Sequence, residues 1–233
     1  MSVNIEKFKE IELELGDRVK MIAVSKVRTV EEIRLLYSLG QRDFGENYVQ
    51  ELVAKQLELP NDIRWHFIGH LQTNKVKYIA HFVHMVHGVD SFKLLEEINK
   101  QGAINNRVIN CLLQVHIAEE ETKFGLSDRE LREIIESIPK LKLTNKLSHV
   151  KLCGLMGMAS FTDDTTRIRK EFKYLKCLFD DMQDETHLSS FKTLSMGMSA
   201  DYKLAIEEGS NMVRIGSLLF GPRPANTGDP KPV

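Results

Sequence analysis

Ile109-Asn110-Cys111-Leu112-Leu113-Gln114-Val115 is nearly continuous in apolar residues and too short for a helix of ordinary length. A strand of a half-exposed sheet alternates apolar and polar side chains, whereas a strand covered on both faces is apolar throughout. The run therefore reads as a strand of a parallel sheet with helices packed over it. Outward from it the same pattern recurs. Strand candidates lie at Val19 to Ser25, Asp43 to Glu46, Ile63 to Gly69, Met85 to Gly88, Val150 to Gly157, Thr193 to Met196 and Met212 to Ile215. Amphipathic stretches separate them at Val30 to Leu39, Tyr48 to Leu57, Asn74 to Ile79, Ser91 to Gln101, Asp128 to Ile138, Thr165 to Met182 and Tyr202 to Glu208. Ile5, Phe8, Ile11 and Leu15 share one face of an opening helix. Strict alternation with short connections favours right-handed βα units. Eight units can close into a barrel; an open doubly wound sheet is the alternative, because periodicity does not report closure.

The chain has 233 residues, 42% hydrophobic and 28% charged, with a formal net charge of −1. This suffices for one barrel, and the balanced charge argues against a nucleic-acid binder. No apolar run is long enough to span a bilayer, and the N-terminus lacks a signal-peptide profile. Cys111, Cys153 and Cys177 form no Cys-x-x-Cys pair, and the first two sit within apolar runs as buried thiols. These features place the protein in the cytoplasm. Residues 1–223 are read as one barrel domain. The prolines and glycines that crowd the end make residues 224–233 a disordered tail.

In a βα barrel, functional groups gather where strands end. The first strand ends at Lys26, which either lays its stem along apolar surface with its head in water or is desolvated, and a desolvated lysine's neutral amine is a nucleophile toward carbonyl compounds. Ser199 stands before a helical pattern as its N-cap, and Gly216-Ser217 follows the last strand, where backbone N–H groups at a helical turn suit a phosphate. Arg214, inside a buried strand, needs a fixed acceptor, either a carboxylate of the barrel wall or an atom of a ligand. His81, His84 and His87 recur every third residue, but the strand pattern over Met85 to Gly88 turns neighbours to different faces. They are read as surface groups rather than metal ligands, with Asp90 as a helix cap. Glu119, Glu120 and Glu121 read as a solvated acidic loop. No Walker loop or Gly-x-Gly-x-x-Gly is present.

Six segments, in order across the chain, resemble the pyridoxal phosphate homeostasis protein family. They are Ala23-Val24-Ser25-Lys26, Phe44-Gly45-Glu46-Asn47-Tyr48-Val49-Gln50-Glu51, Trp65-His66-Phe67-Ile68-Gly69-His70-Leu71-Gln72-Thr73-Asn74-Lys75, Gly154-Leu155-Met156-Gly157-Met158, Leu194-Ser195-Met196-Gly197-Met198-Ser199-Ala200-Asp201 and Val213-Arg214-Ile215-Gly216-Ser217. Where many members carry Thr after Arg-x-Gly, this chain has Ser217, which keeps the hydroxyl. The resemblance implies a single (β/α)8 TIM-type barrel, fold-type III, of the alanine racemase kind, preceded by an N-terminal helix. It also implies pyridoxal 5′-phosphate (PLP) as cofactor, held by Lys26 as a Schiff base. Ser199, Gly216 and Ser217 would receive the phosphate, Arg214 would face the pyridine nitrogen, and Asn47 would line the pocket. The implied role is cofactor binding, buffering and delivery, with PLP-dependent apo-enzymes as partners and a monomeric state. A weakly active amino-acid racemase is the alternative. Racemisation needs a base on each face of the substrate carbon. In alanine racemases the second is a tyrosine from a further domain, for which this sequence shows no counterpart, and Tyr37, Tyr48 and Tyr202 fall in helical patterns.

Overall fold

The computed structural model describes residues 3–119, 124–143 and 147–222, with backbone only for residues 139–143. An opening helix α1 (Ile5–Leu15) precedes β1 (Lys20–Val24), α2 (Val30–Ser38), β2 (Asp43–Glu46), α3 (Val49–Glu58), β3 (Arg64–Phe67), α4 (Val76–Ile79) and β4 (Met85–Val89). The second half runs α5 (Phe92–Ile104), β5 (Ile109–Gln114), α6 (Asp128–Leu143), β6 (Val150–Met156), α7 (Thr165–Thr186), β7 (Thr193–Met198), α8 (Tyr202–Glu207), β8 (Met212–Ile215) and α9 (Ser217–Phe220). The strands follow sequence order and close, β8 pairing in parallel with β1 through Met21↔Val213 and Ile22↔Arg214. Closure excludes the open-sheet alternative and removes both sheet edges.

Two apolar layers explain the continuous hydrophobicity of the strands. Between strands and helices lies the larger layer, including Phe8, Leu36, Phe44, Trp65, Leu113 and Phe172. Inside the barrel, Ile22, Met85, Leu112, Cys153, Met156 and Met212 form a separate cluster. Adjacent strand residues thus serve opposite faces, as Leu112 and Leu113 do on β5. Gly154, at φ 146°, is needed because a Cβ there would overlap the Thr193 carbonyl of β7.

Helix starts carry local caps. Thr29 and Glu32 form a capping box at α2, and Ser91 accepts from the Leu94 N–H at α5. The cap of α5 is thus Ser91, not Asp90, whose Oδ2 instead pairs with His70 Nδ1 at 2.9 Å. Ser199 likewise is not a cap: α8 begins at Tyr202 with Asp201 ahead of it. Cys111 and Cys153 are buried as expected, and Cys177 is exposed. Segment 224–233 and the acidic residues Glu120 and Glu121 lie outside the described residues; Glu119 is exposed and pairs with Arg167 at 3.0 Å. No described helix is long and apolar enough to cross a membrane.

Candidate functional site

A cavity of about 830 Å³ opens at the carboxyl ends of the strands. Its wall holds Lys26, Asn47, Ser199, Arg214, Gly216 and Ser217, residues drawn from the ends of β1, β2, β7 and β8. Every site residue expected from sequence therefore shares one space. Apolar neighbours include Val24, Ile68, Met158 and Leu204.

Lys26 sits in a turn two residues beyond β1. The Arg28 N–H donates to the Ser25 carbonyl at 3.1 Å, placing Lys26 and Val27 at the two central positions. Val27 has φ 55°, a left-handed conformation that a β-branched residue adopts only under constraint. The constraint is visible. Its N–H donates to Glu51 Oε1 at 2.6 Å, and buried Lys55 donates to the Ser25 carbonyl at 2.6 Å, to Glu46 Oε1 at 2.8 Å and to Glu51 Oε1 at 2.5 Å. Ser25 adds a 2.6 Å hydrogen bond to Glu46 Oε1. Burial pushes the Glu46 carboxyl up to about 7 despite the Lys55 charge, and its Oε2 has no partner among the described residues. Glu46, Glu51 and Lys55 thus clamp the Lys26 turn from α3 and β2. Sequence reasoning missed this clamp; its one signal is the Glu51–Lys55 pair, four residues apart on a helix.

The opposite wall comes from the last two strands. The Gly216 N–H donates to Ser199 Oγ at 3.0 Å, so the loop after β7 is tied to the start of α9. Asp201 closes the first loop, its Oδ1 accepting from the Met198 N–H at 2.5 Å. Ser217 opens α9, whose Leu219 and Phe220 N–H groups both donate to the Gly216 carbonyl at 3.0 Å.

Arg214 is 4% exposed, and the hydrogen bonds of its guanidinium go to neutral oxygens. Its Nη1 donates to the Ser195 carbonyl at 2.9 Å and to Ser195 Oγ at 2.6 Å, and its Nη2 to the Gly157 carbonyl at 2.9 Å. Burial lowers its pKa to about 10, against the raising effect of Asp201, and it remains a cation at neutral pH. Of the two acceptors weighed from sequence, the barrel wall supplies neutral oxygens instead of a carboxylate, and the guanidinium also borders the cavity. Asn47 Oδ1 is buried without a partner among the described residues, an orphan that a polar ligand atom would satisfy. Gly69 is required beside it, since a Cβ there would overlap the Asn47 carbonyl.

The histidines part company. His81 is exposed and His84 half-buried, but His87 is fully buried inside the barrel with His66 Nδ1 at 2.9 Å from its Nε2, contrary to a surface role. No group of metal-binding side chains occurs among the described residues.

An amine, a cation, hydroxyls and a helix start around one cavity fit an anionic carbonyl compound with a hydrogen-bond acceptor. Comparison with known proteins agrees. Residues 3–224 match the family model of the alanine racemase N-terminal domain. The pyridoxal phosphate homeostasis protein of Aquifex aeolicus is 42% identical over 205 residues, covering 88% of this chain and 87% of the relative. PipY of Synechococcus elongatus, solved with PLP bound, superposes with a TM-score of 0.83 at 33% identity, covering 93% of this chain and 99% of PipY. An alanine racemase of Clostridium difficile shares the fold at 18% identity and TM-score 0.72, covering 97% of this chain and 59% of the racemase.

Proposed function

The chain belongs to the pyridoxal phosphate homeostasis protein family, within the alanine racemase N-terminal domain group, and from that premise we propose that it binds, buffers and delivers PLP. The observation that carries this reading is the single cavity shared by Lys26, Arg214 and the Ser199–Gly216–Ser217 wall. Lys26 Nζ would hold the aldehyde carbon covalently. Ser199 and Ser217 hydroxyls and the N-terminus of α9 would receive the phosphate, and Asn47 would meet a polar atom of the ring substituents. Arg214 would face the ring nitrogen. When bound, PLP supplies an electron-withdrawing ring to whatever amine it carries. A permanent cation at Arg214 opposes protonation of the ring nitrogen and weakens that withdrawal, which suits a carrier that should leave amines intact.

The acid–base groups support the same reading. Among the described residues no tyrosine lines the cavity. Tyr37 donates to Asp62 at 2.7 Å on the surface, and Tyr202 donates to Glu14 at 2.9 Å, with burial and that carboxylate pushing its hydroxyl up to about 12. We extend the proposal to a cytoplasmic monomer that passes PLP to apo-enzymes; the latter transfer would need no second catalytic base.

The test is an absorbance spectrum of the PLP-loaded protein beside Lys26→Ala, before and after borohydride, with peptide mass mapping. A visible band that reduction converts to a permanent adduct on Lys26, and that Lys26→Ala lacks, is expected. An adduct on another lysine, or no band after adding PLP, would overturn the assignment.

A further inference from the structure

The interior of this barrel is apolar where Ile22, Met85, Leu112 and Met156 pack together, yet a line of polar groups crosses it. At the amino end of β2, Asp43 holds Arg64 through Nε at 2.8 Å and Nη2 at 2.5 Å, with Lys20 at 3.9 Å. Its Oδ1 also lies 2.9 Å from His66 Nε2. His66 Nδ1 lies 2.9 Å from His87 Nε2, and His87 Nδ1 lies 3.4 Å from Ser195 Oγ. Ser195 Oγ in turn accepts from Arg214 Nη1 at 2.6 Å. His66, His87 and Ser195 are wholly buried. The contacts pass from β2 through β3 and β4, cross the barrel to β7, and end on β8 at the cavity wall.

The two ends determine the direction of every proton between them. A carboxylate only accepts and a guanidinium only donates. Burial opposes the charge on Asp43, but its bonds to Arg64 and His66 more than offset this and hold it ionised, well below the ordinary carboxylate range. Burial keeps both imidazoles neutral, lowering His66 against the pull of Asp43 and lowering His87 well below its ordinary value. With Asp43 accepting, His66 carries its proton on Nε2 and accepts at Nδ1. His87 must then donate from Nε2 and accept at Nδ1. The Ser195 hydroxyl turns its proton toward His87 and leaves its lone pairs for Arg214. One proton order satisfies all of them, and no member can reverse without leaving a buried donor facing a donor.

We propose that Asp43, His66, His87 and Ser195 act as positioning residues, a directed string of hydrogen bonds that aims the Arg214 guanidinium at the ring nitrogen of the bound cofactor. Packing alone does not call for such a string, since aliphatic side chains fill a barrel interior at lower desolvation cost. The link to the ring rests on the reading of the cavity as a PLP site; the string itself does not.

Two measurements test it. In the full-length protein without PLP, ¹⁵N–¹H spectra of the imidazoles should show Nε2–H tautomers for both His66 and His87, and Asp43→Asn should redistribute at least one of them to Nδ1–H. In parallel, Ser195→Ala should weaken PLP binding about tenfold, the loss of one hydrogen bond to a buried charge. It should leave within about twofold the binding of a PLP analogue with C–H in place of the ring nitrogen, because that analogue gives Arg214 no acceptor. An Nδ1–H tautomer at either histidine in the parent would overturn the string, whether or not Asp43→Asn folds. Equal losses for both ligands would overturn the aiming role. Failure of the parent to bind PLP at all would instead sink the functional reading, while the tautomers would still decide the string.

Discussion

Glu46→Gln should change how the stability of this protein depends on pH. Glu46 is wholly buried, and burial raises its carboxyl from an ordinary 4.5 to about 7, against the lowering pull of Lys55. A raised carboxyl means that the folded state holds a proton which the unfolded state has released. Between the two values unfolding therefore releases protons, and the stability contributed by the protonated carboxyl is lost as pH rises. At about 1.4 kcal/mol per unit, the loss from pH 4.5 to above pH 7 is about 3 kcal/mol. Gln mimics the protonated acid and cannot ionise, so the variant should lack this slope. Asp43 and the buried histidines also make stability depend on pH, but they are present in both proteins and cancel in the difference. The assay is urea denaturation at intervals from pH 5 to 8, followed through the fluorescence of Trp65, the protein's one tryptophan, which is 2% exposed. The variant should gain on the parent by about 2.5 kcal/mol across that range, since part of the change lies below pH 5. Parallel curves would refute the reasoning, because they would mean that Glu46 is ionised throughout and that Lys55 fully compensates its burial.

Three further outcomes follow from the same site. Lys55→Met removes the ammonium shared by Glu46, Glu51 and the Ser25 carbonyl, and should cost about 3–5 kcal/mol in denaturant titrations at pH 8, with a smaller cost at pH 5 where Glu46 is protonated. Val27→Gly relieves a left-handed valine worth about 1–3 kcal/mol of strain and adds about 1 kcal/mol of chain entropy, so a net gain near 1 kcal/mol is expected; a loss of that size would show that the turn is not strained. Ser199→Ala with Ser217→Ala should weaken retention of PLP by about tenfold more than that of pyridoxal, measured by equilibrium dialysis, and equal losses would remove these hydroxyls from the phosphate site.

The pattern of Ile109 to Val115 and its counterparts determined the parallel strands and most of their bounds. Leu152 to Met156 is apolar or small on both faces because both faces are covered, and that is written in composition. The site residues were legible for a related reason: in this architecture polar groups survive at strand ends, so Lys26, Asn47, Arg214 and Gly216-Ser217 stand out against apolar runs. Ser199 was found for the wrong local reason, since its hydroxyl serves the Gly216 N–H across two loops rather than its own helix.

Closure belonged to the tertiary structure, because the pairing of Ile22 with Arg214 joins residues almost a whole chain apart and no local period encodes it. So did the sorting of inside from outside. In a strand buried on both faces each alternate residue is apolar, so periodicity could not say that His66 and His87 point into the barrel while their neighbours Phe67 and Val86 face the helices. The clamp of Glu46, Glu51 and Lys55 around the Lys26 turn was hidden likewise. Its hydrogen bonds connect residues from the turn after β1, from β2 and from α3 that only folding brings within 3 Å, and burial, which sets the charge on Glu46, exists only once they meet.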